Sequence, residues 1–427
     1  VITLLRILYN LAFPLVLVVM LPSFVLRMVR RGNYRHKFGQ RFGIYSRRVV
    51  EKLAGHRWTF VHAVSVGEVM IALKLITEMR NHDPELRVVL STTTSTGYRL
   101  AHRHKSPLLE PIYHPLDLPW VVRHALTITR AERLILVEAE VWPNMMAAAA
   151  RIPKILVNAR LSGRSERRYH LVRPFAAALF NQLDTLCVQE PDDAKRWESL
   201  GVKPAKIRMT GSIKFDPDLP AARAPRRDFR TVLASFGISP EVPVLLGGST
   251  FEGEEILLAG IARSLRSEFP GLLLILVPRH AERSPKVFSQ LGEQGYSVAL
   301  RNEKPPSTPP EILLVNTTGE LRDWYECATV VFVGKSLTAH GGQNPAEAVA
   351  AGKPVLFGPN MQNFSSLTRQ MLAAGGAIQV SSGDELAREV GGILRTPGRA
   401  DAIARAATTA LDVHKGATAR TVAEIFR

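Results

Sequence analysis

Residues 216 to 229 read DPDLPAARAPRRDF and constrain the fold more than any other stretch. They hold three prolines and no apolar period. Proline removes an N–H that a helix interior or a central strand requires, so the segment reads as a linker. On each side of it, short apolar runs alternate with longer helical patterns. The runs before it are 58–65, 87–91, 134–138, 155–159, 185–189 and 207–211; those after it are 242–246, 272–277, 312–315, 330–333 and 354–357. Such alternation predicts βαβ units on parallel sheets. A chain of 427 residues also exceeds what one core supports. The expectation is an α/β protein of two Rossmann-like domains facing across a cleft: an N-terminal segment 1–48, a domain 49–215, the linker 216–229, a second domain 230–400 and a closing helical segment 401–427.

The N-terminal segment is of a different kind. The net charge is +17, yet the first 50 residues contain no Asp or Glu. Residues 7–26 carry no charge, and 20 apolar residues are just enough to cross a bilayer. Arg27, Arg30, Arg31, Arg35, Lys37, Arg41, Arg47 and Arg48 follow. Positive charge stays cytoplasmic, so this reads as a membrane-anchor helix that holds the body against an anionic leaflet. A single span and an interfacial helix both fit. The basic block lacks the interleaved aromatics of a nucleic-acid surface, so no nucleic-acid partner is expected. Cys187 and Cys327 sit far apart in apolar runs, and no metal-ligand spacing appears, so no metal and no cofactor are expected.

In open parallel sheets ligands bind beyond the carboxyl ends of the strands, which directs attention to particular loops. Ser65-Val66-Gly67-Glu68 follows the first run. Glu68 is placed to take a proton from an incoming hydroxyl, or to serve a helix dipole as a first-turn carboxylate. Glu138 opens EAEVWPN at the end of an apolar run, where a buried acid needs a partner; this favours a binding or transition-state role. NARLSGRS begins at Asn158 and suits an anionic substrate or a solvated loop. Lys214, in GSIKFD, would face the cleft and offset charge on a leaving phosphate.

In the second half, Gly247-Gly248-Ser249-Thr250 reads as a loop followed by the acids Glu252, Glu254 and Glu255. Pro278 and Arg279 follow the next run, and Arg279 is a phosphate clamp by type and place. Thr318 and Gly319 offer N–H groups near a helix start. The stretch 339–347, AHGGQNPAE, reads strand, glycine loop, helix. Glycines let backbone approach a ligand, Pro345 suits a first helical turn, and Glu347 can accept bonds from ribose hydroxyls. It fits either a sugar-nucleotide site or a glycine-rich helix cap. Gly334-Lys335-Ser336 is not a Walker A end, because the first glycine would fall on Thr329. Asp216-Pro217-Asp218 resembles a metal-binding DxD but lies in the linker. No GxGxxG follows the first run of either half, which argues against a dinucleotide.

Taken in order, SVGE, EAEVWPN, NARLSGRS, GSIKFD, GGSTFEGEE, VPRHAER, TTGEL and GGQNPAE resemble the 3-deoxy-D-manno-octulosonic acid (Kdo) transferases, over nearly the whole chain. The resemblance implies a GT-B fold with a CMP-Kdo donor and a lipid A precursor as acceptor. It implies inverting, metal-independent transfer at the cytoplasmic face of the inner membrane of a Gram-negative-type bacterium. It assigns Glu68 as base, and Glu138 and Lys214 as stabilisers of the transition state. CMP contacts fall on Pro278, Arg279, Thr318, Gly319, Glu320, Asn344, Pro345, Ala346 and Glu347. The chain departs from the family pattern at Gln343, where His is common, at Lys335 for Gly, and at Ala328 for Asp. The alternatives are another GT-B enzyme, a UDP-sugar transferase or 2-epimerase, and a membrane-tethered nucleotide-binding protein without activity.

Overall fold

A computed structural model describes residues 2–31, 37–161, 163–216 and 228–427. The chain forms two compact units, Val1–Asp216 with His414–Arg427, and Pro217–Val413. Most of the expected linker lies outside the described residues, as do Arg35 and the side chains of Arg27, Arg30 and Arg31. The segment 401–427 is shared: the helix Arg399–Asp412 belongs to the second unit and the helix Ala417–Phe426 to the first.

The first unit is built on seven parallel strands: β1 (Trp58–His62), β2 (Val88–Thr92), β3 (Leu109–Tyr113), β4 (Ala131–Val137), β5 (Lys154–Ala159), β6 (Thr185–Val188) and β7 (Ile207–Met209). Their order is β3-β2-β1-β4-β5-β6-β7, with Phe60 registered on Val89 and on Leu134. Successive side chains of a strand point to opposite faces. Phe60, Leu134, Leu136 and Leu156 accordingly enter one core, and Val61, Ile135, Val137 and Val157 the other. The helix Val66–His82 covers the second core with Val69, Ala72, Leu75, Ile76 and Met79. The C-terminal helix adds Val422 and Ile425 to the same core.

The second unit repeats the plan with β8 (Val244–Thr250), β9 (Leu273–Pro278), β10 (Val298–Leu300), β11 (Ile312–Leu314), β12 (Val330–Val333), β13 (Val355–Phe357) and β14 (Ile378–Gln379), ordered β10-β11-β9-β8-β12-β13-β14, all parallel. Residues 247–250, expected as a loop, are the end of β8. Glycine is needed there for packing rather than turning. A methyl group on Gly247 would lie 2.7 Å from Leu258 Cδ1, and one on Gly248 2.7 Å from Tyr325 Oη. The fold is thus the pair of Rossmann-like units expected of a GT-B protein. In each sheet the chain order reverses beside the first strand, at β1/β4 and at β8/β12, which opens a crevice at the carboxyl ends.

The N-terminal helix runs Ile2–Arg31. Among the described residues no helix is long and apolar enough to cross a membrane, so the expected span finds no support. The helix instead has two faces. Tyr9, Asn10, Phe13 and Pro14 are half-buried where it packs on the helices Pro143–Ala148 and Arg173–Phe180. Asn10 Oδ1 accepts from Asn144 Nδ2 at 2.6 Å. Leu4, Leu11, Leu15, Val18 and Val19 face outward, each more than 60% exposed.

Candidate active site

Glu68 stands in the first turn of the helix Val66–His82, and its neighbours explain its orientation. Ser65 is the N-cap, and Ser65 and Glu68 form a capping box. The carboxylate accepts from the Val64 amide (2.9 Å), the Ser65 amide (3.3 Å) and Ser65 Oγ (2.8 Å). The dipole-serving role considered from sequence is therefore present in full. It does not exhaust the group: a carboxylate has about four acceptor positions, and three are used here.

Two further acids share the crevice. Glu138 and Glu140, both half-buried, follow β4. Burial, first, and then the Glu68 charge push the Glu138 carboxyl up, while Lys214 and Arg160 pull it back. Glu140 is pushed up by the same two causes in the same order, and the Trp142 indole, donating at 3.2 Å, pulls it down. Lys214 is lowered by desolvation, with Arg160 adding to the shift and Glu138 opposing it. Its side chain is open to solvent on one side, although its flanks are buried. Glu68 after β1, Glu138 after β4 and Lys214 after β7, chosen on separate motifs, thus act on one charge balance. Glu140 and Arg160 belong to it too. Sequence reading weighed Arg160 with Arg164 for an anionic substrate and gave Glu140 no role of its own.

The backbone that carries this cluster is strained. Glu138 has φ +65° and Asn158 φ +53°, left-handed values that cost a non-glycine residue about 1–3 kcal/mol. Both follow or end adjacent central strands. Lys214 is fixed from behind. Ile213 N donates to Asn158 Oδ1 (3.0 Å) and Ser212 N to His414 Nδ1 (3.2 Å). Asp216 accepts from Gly416 N (2.7 Å), Thr418 N (2.8 Å) and Thr418 Oγ1 (2.6 Å). The first acid of the DxD-like sequence is therefore a latch on the C-terminal helix, which explains it without a metal.

In the second unit the expected donor residues lie at or beyond the carboxyl ends of β9, β11 and β12. Pro278 ends β9; Arg279 follows, exposed, its amide on Thr250 O at 3.0 Å. Thr318 and Gly319 lie exposed after β11, Gly319 at φ +83°. Glu320 is the N-cap residue of the helix Leu321–Tyr325; it is buried, accepts from Thr317 Oγ1 (2.7 Å) and faces Arg301 (3.6 Å). Asn344 Oδ1 accepts from the Ala346 amide (3.1 Å), and its Nδ2 reaches Glu347 Oε1 (3.4 Å). Pro345 is the N-cap of the helix Ala346–Ala350 rather than a residue of its first turn. Glu347 is exposed. Glycine is obligatory in the turn before it. Gly342 stands at φ +68°, and a methyl group placed on it would overlap Met361 Sδ.

Sequence reading missed the organiser of this half. Glu254 is fully buried and accepts four amides: Phe251 (2.8 Å), Lys335 (2.7 Å), Ser336 (3.0 Å) and Leu337 (3.1 Å). Glu255 beside it pairs with Arg283 at 2.9 Å and takes Thr250 Oγ1 at 3.0 Å. The run of acids after β8 was the available signal, since acids in a first helical turn often hold a neighbouring loop.

The family model for 3-deoxy-D-manno-octulosonic-acid transferase (kdotransferase) matches residues 36–217. A 3-deoxy-D-manno-octulosonic acid transferase of Haemophilus influenzae is 30% identical over 400 residues, covering 92% of this chain and 91% of its own. The Bordetella pertussis transferase of the same name is 33% identical over 394 residues, covering 90% and 89%. Among solved structures, UDP-GlcNAc 2-epimerase from Neisseria meningitidis bound to UDP-GlcNAc is similar at TM-score 0.58 and 13% identity, over 86% of this chain and 99% of that one. Anabaena HepE in complex with UDP is similar at TM-score 0.55 and 12% identity, over 87% and 98%. At such identities the solved structures speak for the fold alone.

Proposed function

The chain belongs to the 3-deoxy-D-manno-octulosonic acid (Kdo) transferase family, and on that premise we propose that it moves Kdo from CMP-Kdo to a hydroxyl of a lipid A precursor, with inversion and without a metal. The observation that carries the assignment of residues is the shared charge balance of Glu68, Glu138 and Lys214.

The acceptor oxygen attacks the anomeric carbon of Kdo as the bond from that carbon to the phosphate oxygen breaks. CMP leaves with the bonding pair, and the acceptor proton passes to the Glu68 carboxylate. The position left open by the three hydrogen bonds of Glu68 suits that proton. Lys214, with Glu138 tuning its charge, offsets the negative charge that gathers on the departing phosphate. A nucleoside monophosphate offers a single phosphate, so cationic side chains suffice to offset its charge. Pro278, Arg279, Thr318, Gly319, Glu320, Asn344, Pro345, Ala346 and Glu347 hold CMP, with Arg279 on the phosphate and Glu347 on the ribose. Glu320 serves by shaping its loop, since its carboxylate is engaged inside the unit.

The acceptor is an acylated, phosphorylated glycolipid, and the outward apolar face of the helix Ile2–Arg31 suits a seat in a membrane interface. The eight cations between Arg27 and Arg48 favour the anionic cytoplasmic leaflet of a bacterial inner membrane. Incubation with CMP-Kdo and a tetraacylated disaccharide lipid A precursor, followed by mass spectrometry, tests the reading. Products heavier by whole Kdo residues, formed equally in chelator, are expected. An unchanged acceptor would overturn the reaction, and loss of activity in chelator would overturn metal independence.

A further inference from the structure

Lys335 stands at the second switch point, two residues after β12, at φ +56°. The left-handed region favours glycine, and here it holds a long cationic side chain. The backbone gives it no freedom to relax. Its amide donates to Glu254 Oε2 at 2.7 Å, and its carbonyl accepts from Gly342 N at 3.0 Å. The second bond joins it to the glycine turn that precedes Asn344 and Glu347. The side chain extends towards the same turn. A methyl group placed on Gly341 would lie 3.8 Å from Lys335 Nζ.

Among the described residues the charge at this position meets an aromatic face and no carboxylate. Lys335 Nζ lies 5.5 Å from the Phe251 ring centroid, and Arg283 approaches the same ring at 5.7 Å. Arg283 is neutralised by Glu255. Among the described residues no carboxylate forms an ion pair with Lys335 Nζ, and Glu254 spends both oxygens on amides. A half-buried ammonium is thus held by a strained, doubly anchored backbone at the mouth of a sheet crevice, with no counter-ion among the described residues. That arrangement fits an external anion.

We propose that Lys335 is a phosphate-binding residue of this chain's nucleotide site, making the glycine turn a charged rather than a purely backbone contact. The inference rests on the reading of residues 341–347 as the donor loop. Lysine suits the task as a point charge that needs no planar partner.

The test uses the full-length protein and measures affinity for CMP and for cytidine by calorimetry, in the parent, Lys335→Gly and Glu347→Ala. Lys335→Gly removes the ammonium and relieves the backbone, so its melting temperature should equal or exceed the parent's. Its CMP affinity should fall about tenfold, as for the loss of one charge-assisted contact, while cytidine affinity stays unchanged. The CMP affinity of the parent should also fall more steeply with salt than that of the variant. Unchanged CMP affinity in Lys335→Gly, with Glu347→Ala weakened, would overturn this inference and leave the donor site standing. If Glu347→Ala also binds CMP normally, the donor-loop reading falls, and the inference with it. An equal loss for CMP and cytidine would show that Lys335 shapes the loop without touching phosphate, which also overturns it.

Discussion

Asn158 Oδ1 accepts the amide of Ile213 at 3.0 Å, so the end of β5 fixes the residue next to Lys214. The same residue accepts from Gln189 Nε2 through its carbonyl at 2.8 Å and sits at φ +53°. One strained, buried asparagine therefore ties β5, β6 and the loop after β7 at the place where the charged groups meet. Asn158→Gly should relieve the backbone and remove the Ile213 contact together. The expected outcome is a transfer rate down about tenfold, for roughly 1–1.5 kcal/mol of lost positioning, with the melting temperature within a few degrees of the parent. A variant with parental kcat would show that Lys214 holds its place without this bond.

Glu68 has two jobs that a pair of substitutions can separate. Glu68→Gln keeps an acceptor towards Ser65, because a capping box tolerates glutamine, but it cannot take a proton. Glu68→Ala loses the box as well, at about 1 kcal/mol. Both should lose at least ~100-fold in transfer rate, the low end for general-base loss; glutamine gives up the Val64 amide and alanine the whole box, so the alanine variant should be the less stable of the two. CMP affinity should be unchanged in both. Parental turnover in Glu68→Gln would leave the carboxylate with the cap alone.

The sequence made the strand–helix alternation and both site regions legible because central parallel strands are buried on both faces and read as unbroken apolar runs. Edges were another matter. β3 reads Leu-Glu-Pro-Ile-Tyr, and its proline masks a strand that only an edge tolerates. β10 and β14, three and two residues long, are also edges and also escaped notice. The site residues were found by type and place, and their coupling was not. That Glu140 and Arg160 join the balance depends on the distance between loops, which no spacing within one motif encodes. Asp216 looked like part of a metal motif because its partners, Gly416 and Thr418, lie about two hundred residues away.

Asp193 gives a pH signature. Burial, first, and Glu190 push its carboxyl from 3.8 up to about 7, against the pull of Arg160 and Arg196. A folded-state pKa above the unfolded one means that the fold holds the proton more tightly. The stabilisation is full below about pH 3.8 and is lost as pH rises through about 7. Asp193→Asn mimics the protonated form without titrating. Its stability advantage over the parent should open between those two values and be constant above them, on the order of a few kcal/mol. Urea unfolding at a series of pH values checks this. A difference that does not vary with pH would show that Asp193 ionises normally.

Glu254 predicts an unusually harsh response to a conservative change. Each of its oxygens takes two amides: Oε2 those of Phe251 and Lys335, and Oε1 those of Ser336 and Leu337. Glutamine would turn an NH2 group towards two N–H donors and leave both unsatisfied, at about 1–3 kcal/mol each. Glu254→Gln should therefore be destabilised nearly as much as Glu254→Ala. Both should weaken CMP binding, because the amides they release belong to the segment that carries Lys335 and meets the glycine turn. Urea unfolding and CMP calorimetry on the two variants decide the matter. A glutamine variant close to the parent in both measurements would show that the loop after β12 keeps its shape without a carboxylate at its centre.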